Sequence, residues 1–272
     1  MDEPLTERIA RCRICAERFA ATATRHAPRP VVWFRPGARL LIAGQAPGMR
    51  VHKSGRPFDD PSGQRLRAWL GLSEDAFWDM SRVAIVPMAF CFPGYDAKGS
   101  DLPPPKVCGE TWHGAVMEAL PDLALKLYVG GYSHRYHLGT RAGVTETVAR
   151  WRDYWPDAVP LPHPSWRNTA WLKRNPWFEA ELLPVLRTRI REVMDDGAHG
   201  RLVPPGDERA LADAMRAVLL AGPRRYASDP IMRYSDHLDV IEGLYGERHA
   251  VLSPTPRADT APEGAALESA GL

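Results

Sequence analysis

The chain has 272 residues, 44% hydrophobic and 25% charged, with a formal net charge of only +2. That length suits one large domain, or a domain with an appendage, and is ample for a buried core. No apolar run approaches the about 18 residues of a membrane span, the opening MDEPLTERIA is charged rather than signal-like, and the net charge alone makes no argument for nucleic acid.

The expected location is therefore cytoplasmic. Residues 5–21 (LTERIARCRICAERFAA) have helical character and carry a C-x-x-C. Next, 39–47 (RLLIAGQAP) reads as a buried strand feeding a Gly- and Pro-bounded loop. A helix is predicted over 62–72 with Ser62 as N-cap, and a second strand over 82–90 (RVAIVPMAF). A Pro- and Gly-rich loop then leads to a helix through 110–120, a third strand over 123–131 and an amphipathic helix over 143–155. A short fourth strand ends in 163-HPS-165, and a helix over 177–194 contains Pro184, a site for a kink.

Strands alternating with helices argue a three-layer α/β/α fold around a four-stranded parallel sheet. Ligands of such sheets bind beyond the carboxyl ends of the strands. The loop 44-GQAPG-48 and the loop 163-HPS-165 are then expected to face one cleft.

Cys12, Cys15, Cys91 and Cys108 sit in a chain expected in a reducing compartment, which argues against a disulfide framework. Metal ligation, redox chemistry and plain buried thiols all remain open on the spacing.

The string 44-GQAPGMRVHKSGRPFDDPSGQRLRAWL-70 resembles motif A of the uracil-DNA glycosylase superfamily, and 163-HPSWRN-168 resembles its motif B. With the cysteine layout, the likeness is to the iron–sulfur (family 4) branch and spans roughly residues 8 to 192. It implies a DNA repair glycosylase, a monomer, that hydrolyses the N-glycosidic bond of uracil or another deaminated base flipped out of DNA.

The resemblance also implies roles. Gly44, Gln45 and Ala46 would contact the base through the loop backbone, Phe58 would stack on it, and His163 would donate to its O2. Pro47, Gly48 and Ser165 would pinch the DNA backbone. Trp166, Arg167, Lys173 and Arg174 would supply a wedge and phosphate contacts. Cys12, Cys15, Cys91 and Cys108 would ligate a structural 4Fe–4S cluster, with zinc as the alternative for four thiolates.

The sequence departs from that pattern twice. Neutral Gln45 and Ala46 stand where relatives place a carboxylate, so the acid is expected from Asp60, the other reading of which is a helix cap. Pro87 stands where the branch has an Asn that reads the base edge, which leaves Asn168 to substitute. A non-catalytic DNA- or uracil-binding module of the same fold is the rival reading.

Residues 1–194 are thus expected to form the glycosylase-like domain. Over 195–250 the chain resembles the C-terminal end of a retaining two-Rossmann-domain glycosyltransferase, and a glycosyltransferase-related protein is a second, weaker rival. Pro, Ala, Thr and Ser over 251–272 read as a disordered tail.

Overall fold

The computed structural model describes residues 3–194, together with the single residue Ala212. The expected appendage over 195–250 and the tail over 251–272 lie outside the described residues, Ala212 aside.

Four strands form one parallel sheet in the order β2-β1-β3-β4: β1 (Leu40–Ala43), β2 (Val83–Ile85), β3 (Leu125–Val129) and β4 (Ala158–Leu161). Ile42 at the centre stands opposite Ile85 on one side and Leu127 on the other. Alternation sends Leu40 and Ile42 to one face and Leu41 and Ala43 to the other, and both faces are buried. That is why the strand reads as an unbroken apolar run rather than an alternating one.

The Leu40–Ile42 face is covered by α4 (Pro61–Leu70), α5 (Glu74–Trp78), α8 (Val144–Ala149) and α10 (Leu183–Met194), through Leu66, Leu70, Phe77, Val148, Leu186 and Ile190. The Leu41–Ala43 face is covered by α1 (Leu5–Ala10) and α6 (Lys106–Glu118), through Ile9 and Val116, and by Leu120 just after α6. The expected three-layer α/β/α architecture is therefore the observed one. Among the described residues no helix is long and apolar enough to cross a membrane.

Several boundaries differ from the sequence reading. The helix over 5–21 is two helices, α1 and α2 (Ala16–Ala20), separated by a turn that carries Cys12 with Cys15 at the N-cap of α2. Ser62 is not the cap of α4. That helix starts one residue earlier at Pro61, whose fixed φ and missing N–H suit the first helical position, so Asp60 is the N-cap. Over 143–155, α8 gives way to a 3-10 turn at Trp151–Asp153. Pro184 cannot donate to the preceding turn, and a π-helical turn over Phe178–Leu182 precedes α10. Four short helices had no periodic signal: α3 (Met49–Ser54), α5, α7 (Gly131–His137) and α9 (Thr169–Arg174).

Candidate active site

The carboxyl ends of the four strands run into the loops that build the site. After β1, the Gly44 carbonyl accepts from the Met88 amide at 2.9 Å and the Gln45 carbonyl from the Ala89 amide at 3.2 Å. In a trans peptide the N–H points opposite to the C=O. With both carbonyls tied toward the 86–89 segment, the amides of Gln45 and Ala46 face away from it. Neither donates to another group among the described residues. Gly44, Gln45, Ala46, Pro47 and Gly48 all line one pocket, and Phe58, Asp60, Pro87 and His163 close it.

The turn that delivers Phe58 and Asp60 is unusual in its backbone. Phe58 adopts a left-handed φ of 56°, and a Cβ on Gly63 would lie 1.8 Å from the Phe58 carbonyl oxygen. Only glycine at 63 lets that carbonyl lie against α4. The Phe58 ring then rests against Gly44, where a Cβ would come within 3.3 Å of it, and meets Phe77 edge-on at 6.0 Å. Phe58 is thus both a core residue and a pocket wall.

The two acids of this turn have different partners. Asp59 pairs with Arg56 at 3.0 Å, and that hydrogen bond holds its carboxyl below the usual carboxylate value. Asp60 accepts the Gly63 amide through Oδ1 at 2.8 Å and lines the pocket. Capping and a place in the cleft are therefore both true of Asp60, because one carboxylate has two oxygens.

His163 follows β4 and sits against Gly130, whose added Cβ would be 3.7 Å from the His163 Cβ. Its Nδ1 accepts the Ser165 amide at 3.2 Å, so the neutral ring carries its proton on Nε2. Burial pushes the imidazole below the ordinary histidine value, and the Asp60 charge acts in the opposite sense. The result is a neutral donor in the pocket wall.

Asn168 is not among the residues that line the pocket. Its side-chain amide donates to the His163 carbonyl at 2.7 Å, so it braces the loop that carries His163. Arg65 on α4 holds the same loop, donating to the Ser165 carbonyl at 3.0 Å and to the Thr169 hydroxyl at 3.3 Å. The sequence gives no local sign of Arg65, because its partners lie about a hundred residues away in the chain. The Pro87 carbonyl, on the pocket wall, pairs with Nε2 of buried His113 at 3.0 Å. Trp166 is 71% exposed beside Arg167, and Lys173 and Arg174 are exposed on α9.

Cys12, Cys15, Cys91 and Cys108 come together from three parts of the chain to line a second pocket, with Ile9, Phe19 and Trp112 among its apolar walls. Burial first, and neighbouring thiols second, push Cys91 up to about 12; burial pushes Cys108 up to about 11, against the Phe90 amide, which donates to its Sγ at 3.4 Å. Among the described residues no group of three or more His, Cys, Asp and Glu side chains is set to hold a metal ion.

A family model for the Uracil DNA glycosylase superfamily matches residues 31–187, more than half of the chain. The match contains all four strands and both loops of the pocket, and it leaves out Cys12 and Cys15.

Proposed function

The chain belongs to the Uracil DNA glycosylase superfamily, and from that premise we propose that it hydrolyses the N-glycosidic bond of uracil, or of another deaminated base, flipped out of DNA. The observation that carries the reading is the convergence on one pocket of outward-facing loop amides, a neutral Nε2–H of His163 and the Asp60 carboxylate.

When the C1′–N bond breaks, its electron pair leaves with the base and positive charge grows on the sugar. The Gln45 and Ala46 amides and His163 Nε2–H supply donors for the departing anion. The Asp60 oxygen not engaged at Gly63 offers negative charge to the sugar or orients the water that adds to C1′. Water contributes hydroxyl to the sugar and a proton to the released base, so no oxidant or reductant enters.

The cavity holds about 50 Å³. At about 10–15 Å³ per water, that is room for roughly three to five waters. Pro87 brings no side-chain hydrogen bond to the base edge, so selection rests on shape and on the loop amides. Exposed Trp166, Arg167, Lys173 and Arg174 would hold the DNA beside the flipped nucleotide, with Ser165 shaping their loop.

The four cysteines are proposed to carry a structural 4Fe–4S cluster. The donor set is four thiols and nothing else, the walls are apolar, and an N–H···S bond already supports Cys108. Structural zinc sites usually draw on two short C-x-x-C knuckles, whereas this chain has one, Cys12–Cys15, with Cys91 and Cys108 well separated. That spacing favours the cluster over zinc. Its chemistry here would be to tie the Cys12–Cys15 turn to α6. Protein purified anaerobically should be brown, and a Cys12→Ala variant should be colourless; a colourless wild type removes the cluster.

The test of the function is release of base from single- and double-stranded oligonucleotides bearing uracil, hypoxanthine or xanthine. Wild type should leave abasic sites at uracil, and His163→Ala should lose about 10²-fold or more in rate, the scale for loss of one such donor. No abasic product from any substrate would leave the binding module as the reading of this fold.

A further inference from the structure

Beside the base pocket lies a larger depression of about 330 Å³ that the proposed reaction does not use. Met88, Lys106, Glu110, Tyr132, Arg135 and Tyr136 form it. Its floor continues the pocket wall, since Met88 follows Pro87 and donates its amide to the Gly44 carbonyl. Its far side is α7, which begins directly after Gly130, the residue packed against His163.

The chemistry of this trough is specific. Tyr132 and Tyr136, one helical turn apart on α7, are 37% and 47% exposed. Arg135 lies 4.8 Å over the Tyr132 ring, and Arg135, Lys106 and Glu110 are all exposed, so two cations meet one acid. Stacking faces interleaved with cations are what an unpaired nucleic-acid strand requires: rings for the bases and charge for the phosphates. A duplex keeps its bases inside the stack and could use only the charges.

We propose that this trough seats single-stranded DNA flanking the flipped nucleotide, with Tyr132 as the principal stacking face and Arg135 and Lys106 on its phosphates. The proposal rests on the glycosylase reading for its substrate but is testable without it. Tyr136 is a poor probe, because its hydroxyl donates to the Gly109 carbonyl and its ring packs against His113 and His137.

The experiment measures binding of a short, undamaged, fluorescent oligothymidine to the full chain by anisotropy, beside a duplex of the same length. Tyr132→Ala and Tyr132→Leu should each weaken single-strand binding by about 5- to 150-fold, the range for one lost base–aromatic stack. Duplex binding should change less than twofold. Arg135→Gln should lower the slope of log affinity against log salt by about one phosphate contact. The leucine variant keeps bulk on the exposed face, and unchanged thermal unfolding excludes misfolding. Single-strand affinity within twofold of wild type in both Tyr132 variants, equal losses on duplex, or no single-strand binding by wild type would each overturn the proposal. Wild type that binds as expected yet releases no base would instead refute the glycosylase reading and leave the trough standing.

Discussion

Asp60 has two functions in the proposed site, and substitution can separate them. Its Oδ1 caps α4 by accepting the Gly63 amide at 2.8 Å. Asn places a carbonyl oxygen in the same position and is an equally good cap, so Asp60→Asn should keep stability within about 0.5 kcal/mol. Asp60→Ala removes the cap and should cost about 1 kcal/mol. Both remove the negative charge from the pocket and should slow base release by about 10²-fold, equivalent to about 2.7 kcal/mol of barrier. A third readout follows from His163. The Asp60 charge favours its protonated form, so the Asn variant should titrate His163 at a lower pH than wild type, as followed by NMR. Urea unfolding, single-turnover release of uracil and the histidine titration together make the assay. An Asp60→Asn protein with wild-type rate would refute the assigned role and reduce Asp60 to a cap.

Gly63→Ala should destabilise by about 2–4 kcal/mol and abolish base release, because the new methyl would lie 1.8 Å from backbone at Phe58 and must displace the turn. Gly44→Ala meets only the edge of the Phe58 ring at 3.3 Å, and thermal unfolding should show a much smaller loss. Burial first, and His113 second, lower His137 from 6.5 to about 4. The unfolded chain therefore binds this proton more readily, and the contribution is whole above pH 6.5 and lost as pH falls toward 4. That lowering is worth about 3 kcal/mol. His137→Phe keeps a ring against Tyr128, with which the imidazole stacks at 4.6 Å, and should flatten the fall in urea midpoint between pH 7 and 4.5. An unchanged slope would place the acid sensitivity elsewhere.

The sheet was legible because its strands are short apolar runs buried on both faces, with turn signals between them. The second strand was read too long for a physical reason. Residues 86–90 are as buried as a strand, but Val86, Met88 and Ala89 donate to Ile42, Gly44 and Gln45 as an irregular wall rather than a ladder. Pro87 has no N–H to give, and its carbonyl is taken by His113 from α6. Periodicity had little to work with in α3, α5, α7 and α9, which span only five to seven residues. Asp60 against Ser62 as the cap turned on Pro61, whose suitability for the first helical position outweighs a serine one residue later.

In the site, the motif residues on the pocket were legible, whereas Val31 and Val51 on its wall and Arg65 behind it were not. Gly44 to Gly48, Phe58, Asp60 and His163 carry motif signals, whereas Arg65 has meaning only once α4 and the 163–169 loop are side by side. That link also bears on the missing acid at Gln45. Asp60 commits one oxygen to the first turn of α4. The same helix, through Arg65, grips the carbonyl of Ser165, whose amide fixes the ring of His163. The proposed acid and the proposed donor are therefore held by one helix at a fixed separation. With the proposed charge at Asp60 rather than at position 45, the two proposed groups are coupled through α4.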